Sequence, residues 1–193
     1  MNENGAFAIS WDDAGGVHVR TYSSAGAVVV SDAVSSTSTT AGESAVALAN
    51  DGSFVVTWRE TVSGARDTLL RRYSSAGTAL AAAITVNVAT ANNQTNPSIA
   101  MDSAGNFVVA WEGQGTGDAD GVFFRKFAFD GTAMSTELRI NTTTTGLQDQ
   151  VSIAMLDLQS FVATWSGNGP GDTAGVFARQ FNFPNAAPVI AIS

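Results

Sequence analysis

The chain has 193 residues, of which 45% are hydrophobic and 13% charged, with a net charge of -8 and no cysteine. That much apolar material builds a core, so the chain is globular rather than disordered, and disulfide staples and thiolate metal sites are excluded. An acidic surface with a single lysine, Lys126, repels phosphate backbones and anionic membranes, which sets aside nucleic acid as a partner and membrane insertion as a state.

No apolar run approaches the length needed to cross a bilayer. Met1-Asn2-Glu3-Asn4-Gly5 has neither a basic n-region nor an apolar h-region, so no signal peptide is visible and the chain reads as a fragment. The acidic, lysine-poor, Thr/Ser/Gly/Ala-rich composition fits an extracellular or cell-surface setting.

Taken in order, the chain repeats one theme four times. Phe7 to Trp11, Phe54 to Trp58, Phe107 to Trp111 and Phe161 to Trp165 are apolar runs that each end on tryptophan, at spacings of 47, 53 and 54 residues. A period near 50 residues marks a repeat architecture. The units run over approximately 1–42, 43–95, 96–149 and 150–184.

Within each full unit the expected first strand is Ser44–Leu48, Pro97–Met101 or Val151–Met155, ending ten residues before the tryptophan. Turn residues such as Asn50-Asp51-Gly52 and Asp102-Ser103-Ala104-Gly105 separate it from the Phe-to-Trp strand. The fourth unit has Leu156-Asp157-Leu158-Gln159 there and needs a different turn. A third strand follows at 17–22, 68–73, 122–127 and 176–181, with the pattern apolar-Arg-x-aromatic around Arg20, Arg71, Arg125 and Arg179. Weaker fourth strands are expected at 27–31, 84–87 and 138–141, then Thr-rich connectors. Ala79–Ala83 is the only stretch with any helical propensity, and it is short.

Side chains alternate along a strand, which puts Phe107, Val109 and Trp111 on one face and Val108 and Ala110 on the other. Both faces are apolar, so the sheet must be covered on both sides. All-β, propeller-like blades of four antiparallel strands satisfy this; a β-sandwich-like packing of repeats is the alternative. The first unit lacks its first strand and the fourth its last, so an open arc is expected over a small closed ring.

Candidate sites lie just after each tryptophan. Glu112 to Gly121 and Ser166 to Gly175 read as Gly/Asp rim loops. Asp118 and Asp120, with Glu112 and Asp172 nearby in the loops, offer hard oxygen ligands for calcium, the one cofactor the sequence signals. The competing reading is a solvated turn, since the twelve-residue loop with a terminal glutamate is absent. Trp11, Trp58, Trp111 and Trp165 read as inter-blade core, with sugar stacking as the alternative. One arginine per unit, always two residues before an aromatic, reads as a structural anchor. His18 is the only histidine and nothing marks a nucleophile elbow, so the chain is expected not to be an enzyme.

The run Asn106 to Trp111, the Gly/Asp loop after it, Gly121-Val122-Phe123-Phe124-Arg125 and Arg139-Ile140-Asn141-Thr142 resemble the repeats of very large bacterial secreted or surface proteins that combine calcium-binding repeats with cadherin-like modules. Residues 185–193, opening Asn185-Ala186-Ala187-Pro188-Val189-Ile190, are similar to the start of such a module or a linker to one. The resemblance implies a non-catalytic, extracellular, adhesive and calcium-associated segment, whose partners are neighbouring repeats or domains and surface glycans or proteins. A carbohydrate-binding propeller is the alternative, and a glycoside hydrolase-like propeller a distant third.

Overall fold

The computed structural model describes residues 1–157 and 160–183. The described residues form fourteen strands: β1 (Phe7–Asp13), β2 (Gly16–Tyr22), β3 (Val28–Ser36), β4 (Gly42–Leu48), β5 (Phe54–Val62), β6 (Ala65–Tyr73), β7 (Ile84–Thr85), β8 (Gln94–Met101), β9 (Phe107–Gly115), β10 (Asp118–Phe127), β11 (Leu138–Arg139), β12 (Gln148–Asp157), β13 (Ser160–Gly169) and β14 (Asp172–Asn182). They pair antiparallel, in chain order, into four sheets: β1–β3, β4–β7, β8–β11 and β12–β14. We call these blades 1 to 4. The innermost strands pack in the order β1, β4, β8, β12, and β12 returns no comparable packing to β1.

Alternation along the Phe-to-Trp strands decides how blades stack. Phe107, Val109 and Trp111 pack against Val55, Leu70 and Val86 of blade 2. Val108, Ala110, Val122 and Phe124, on the opposite face, meet Phe161, Ala163 and Trp165 of blade 4. Blade 2 repeats the arrangement, setting Phe54, Val56 and Trp58 against Val17 and Val19 of blade 1. Each of the three seams therefore joins the aromatic face of one blade to the aliphatic face of the blade before it, and burial of these side chains is the dominant stabilising term.

The strand register explains the apolar-Arg-x-aromatic signature. Phe7, Phe54, Phe107 and Phe161 sit opposite Tyr22, Tyr73, Phe127 and Phe181. The four ring pairs stack at 4.7, 4.8, 5.1 and 4.7 Å between centroids, which is the offset range that favours aromatic pairs across a ladder.

Three features differ from the sequence expectation. The Gly/Asp stretches after Trp111 and Trp165 are not open loops: β9 and β10 run on to a tight turn at Thr116-Gly117, and β13 and β14 to one at Pro170-Gly171. Glycines at φ +77° and +78° close these hairpins, a conformation that costs an L side chain strain. The fourth strands of blades 2 and 3 shrink to two residues each, because Asn87 and Asn141 bring side chains to the next ladder position. β3 instead runs to Ser36, with register shifts that keep it paired to β2. Residues 79–83 are not helical; Ala79 makes a bridge to Tyr73. The tail 185–193 and Leu158-Gln159 lie outside the described residues.

Candidate functional site

The side chains singled out in the sequence separate into three environments. Trp58 and Trp111 are fully buried in seams and Trp165 nearly so, while Trp11 is only half-buried. Trp58 donates its indole N–H to Glu60 at 2.8 Å. In blades 3 and 4 the matching position is Gly113 or Gly167, and the indole N–H groups of Trp111 and Trp165 have no partner among the described residues. Glycine is required there by close approach: at φ +140° and +131°, an added Cβ would lie 2.2 Å from the carbonyl oxygens of Asn93 and Leu147.

The arginines bridge blades. Nη1 of Arg71, Arg125 and Arg179 donates to the main-chain oxygen of Ser35, Val86 and Ile140, at 3.1, 2.8 and 2.9 Å. Every acceptor belongs to the outer part of the preceding blade. Arg20 has no preceding blade, and its Nε donates to Ser31 within its own sheet at 2.6 Å.

The four carboxylates nominated for calcium are dispersed. Asp118 is buried, and its Oδ2 accepts from Asn141 at 2.6 Å, while Oδ1 accepts from the amide of Asp120 at 3.2 Å. Asn141 also reaches Gln148 at 3.0 Å and accepts from the amide of Val122. Asp67, Asn87 and Gln94 repeat the same triad one blade earlier. Each triad ties the outer edge of one blade to the first residue of the next blade's inner strand, and its hydrogen bonds satisfy groups whose burial would otherwise be costly. Asp120 and Asp172 are exposed, and Glu112 bonds Thr95, Asn96 and Gln150. Among the described residues no group of three or more His, Asp or Glu side chains is gathered as a metal site.

Glu112 instead hydrogen-bonds two residues of an axial cleft that the spacing did not disclose. Glu43, Asn96 and Gln150 occupy matched positions in β4, β8 and β12, and each has a left-handed backbone, at φ +55°, +48° and +53°. A non-glycine residue in that region stores strain of about 1 kcal/mol or more, and such strain gathers where side chains are held for binding. With Ser44, Pro97 and Val151 these residues line a cavity of 490 Å³ at one end of the axis. Carboxylates from neighbouring blades hold the bulges. Glu43 Oε2 accepts from the amide of Asn96 at 2.9 Å, and Glu112 Oε2 from the amide of Gln150 at 2.8 Å. Their other oxygens are also engaged: Glu43 Oε1 with Arg59 at 3.1 Å, and Glu112 Oε1 with Thr95 at 3.1 Å and with the Asn96 carboxamide.

A larger groove of 820 Å³ lies off the axis beside Val88, Met134 and Glu137. Its charged groups serve the scaffold, since Arg125 is the latch to Val86 and Glu137 accepts from the amide of Val88 at 2.9 Å. The axial cleft is the better candidate site.

Four stacked antiparallel sheets with their first strands round an axis define the architecture. The array is β-propeller-like, an open run of four blades. Solved structures agree on the fold. A Dyadobacter fermentans protein of unknown function superposes with a TM-score of 0.62 at 13% identity, over 94% of this chain and 51% of its own. An endo-arabinase from Bacteroides thetaiotaomicron gives 0.53 at 8% identity, over 96% and 74%. A Bifidobacterium bifidum protein provisionally named an exo-beta-1,3-galactanase gives 0.55 at 11%, over 94% and 65%. The chain thus spans about half the length of the first of these proteins. No family model matches the sequence, and no curated protein does.

Proposed function

We propose that this chain is a non-catalytic interaction segment of a larger exported or cell-surface protein, and that it takes carbohydrate at its axial cleft. The observation that carries the reading is the ring of Glu43, Asn96 and Gln150, three strained residues from three blades whose polar side chains converge on one cavity. Planar carboxamides and carboxylates on a rigid frame suit the paired hydroxyls of a sugar, and the two glycosidase-named neighbours give the same ligand class independent support. Absence of catalysis is supported by the cleft carboxylates. Glycoside hydrolysis needs one carboxyl to protonate the leaving oxygen and another to attack or activate water, whereas both oxygens of Glu43 and of Glu112 already bond the scaffold. Calcium association rests on the resemblance of the repeats and on the exposed Asp120 and Asp172.

Thermal melts against arabinose- and galactose-based oligosaccharides test the proposal. A subset of sugars is expected to raise Tm, and Gln150→Gly, which relieves the left-handed strain while removing the side chain, is expected to keep the fold and abolish the shift. A sugar response unchanged in Gln150→Gly and Asn96→Gly would move the site elsewhere, and release of reducing sugar would end the non-catalytic reading. Melts with calcium and with chelator that coincide would remove calcium from the proposal.

A further inference from the structure

Each blade brings one carboxylate to the axial cleft, and the four come from different positions of the repeat. In blade 1 it is Asp12, just after Trp11, whose Oδ1 lies 3.5 Å from both the amide and the hydroxyl of Ser44 on the cleft wall. Blade 2 supplies Glu43, the bulge residue itself. Blade 3 supplies Glu112, just after Trp111, which bonds Asn96 and Gln150 of the wall. Blade 4 supplies Asp149, which directly precedes the bulge at Gln150. It stands opposite Ser166 as Thr95 stands opposite Glu112, and its Oδ1 accepts from the Ser166 hydroxyl.

One cation faces these four. Arg59 holds the ladder position of Glu112 one blade earlier, and its Nε meets Glu43 at 3.1 Å. It also stands near Asp12, across Gly42: a Cβ on that glycine would lie 3.5 Å from Arg59 Nη2 and 3.3 Å from Asp12 Oδ2. Among the described residues no other lysine or arginine side chain bonds a residue of the cleft wall. Glu112 and Asp149, on the side of blades 3 and 4, meet only neutral partners: the Thr95 and Ser166 hydroxyls, the Asn96 carboxamide and the Gln150 amide. Such bonds hold a carboxylate in place and leave its charge uncancelled. A cleft whose walls carry one sign of charge focuses its field on whatever enters.

We infer that the axial cleft selects sugars by charge, favouring one that bears a protonated amine over a neutral one and turning away a uronic acid. The inference rests on the carbohydrate reading of this cleft and adds the chemical class of the sugar. An ammonium group placed between Glu112 and Asp149 gains two carboxylate neighbours, and Asp149 Oδ2 takes no hydrogen bond among the described residues. A uronate carboxylate in the same place meets two like charges. Specificity here comes as much from that repulsion as from attraction.

Calorimetric titration of the 193-residue chain with length-matched oligomers of galactosamine, galactose and galacturonic acid tests the inference. At low salt the affinity is expected to fall in that order, by about tenfold at each step, the effect of one unit charge near the walls. Raising the salt to about 0.5 M should shrink both steps, because screening acts on charges and not on hydroxyl contacts. Asp149→Asn keeps an oxygen for Ser166 and removes one charge, so it should weaken the amine-bearing oligomer and strengthen the acidic one. Asp12→Asn, with Arg59 beside it, should narrow the spread less. Galacturonate binding as tightly as galactose, or an order that neither salt nor Asp149→Asn alters, would overturn the inference and leave a carbohydrate site in place. No binding by any of the three would also overturn it, and the thermal melts decide separately whether the cleft takes carbohydrate at all.

Discussion

At the scale of single residues, matched positions carry different burdens according to what lies beyond the blade. Asp118 and Asp172 occupy the same place in their repeats, but only Asp118 is enclosed by an asparagine and a glutamine of the following connector. Asn141→Ala removes the donor to Asp118 and the acceptor of the Val122 amide together. It is expected to destabilise the chain by about 3 kcal/mol in urea unfolding, as for other buried groups deprived of partners. Asp172→Ala should stay within about 0.5 kcal/mol, the range for exposed positions. Equal effects of the two substitutions would mean that the buried triad does not hold the connector. The recurrent arginine was visible as a spaced letter in the sequence; its partner was not, because each latch spans 36 to 39 residues and ends on a main-chain carbonyl that no side-chain pattern reports.

At the scale of strands and turns, local chemistry carries most of the outcome. The Asn50-Asp51-Gly52-Ser53 turn between β4 and β5 closes through Asp51, whose Oδ1 accepts from the Ser53 hydroxyl at 2.6 Å and the Ser53 amide at 2.9 Å. Those bonds, the hydroxyl first, hold the Asp51 carboxyl below its ordinary value. A carboxyl lowered on folding stabilises the native state above its unfolded value of about 3.9, and that contribution is lost as pH falls through the folded value. The stability gap between the parent chain and Asp51→Asn is therefore expected at neutral pH and should close on the acid side, below about pH 4. Urea midpoints measured across pH check this, and a gap independent of pH would assign the effect to shape rather than charge. The Gly/Asp stretches show where local reading stops. Their composition reads as loop, yet flanking strands on both sides extend the ladder through them, and this turns Asp118 inward.

At the scale of the whole molecule, stability follows the number of covered faces. β5 and β9 are buried on both sides, whereas β13 is buried on one and β1 on neither completely. In a stack where each unit contacts only its neighbours, the central units are supported twice and the end units once. Hydrogen exchange should therefore be slowest in β5, β6, β9 and β10 and fastest in β1, β3 and β14. Uniform protection over all four blades would contradict the stacking model.

The sequence by itself determined the repeat and the strand faces, because a two-residue alternation of apolar side chains over four matched runs calls for cover on both sides of a sheet; the choice of propeller-like stacking over sandwich packing came with the tertiary structure. Only the tertiary structure decided the site. Glu43, Asn96 and Gln150 share no residue type, so no pattern groups them, and their common feature is a backbone bulge that exists once three inner strands are drawn round one axis. The tertiary structure likewise separated Trp11 from the other three tryptophans and Arg20 from the other three arginines. Identical letters in a repeat become core or surface according to whether another blade stands against them.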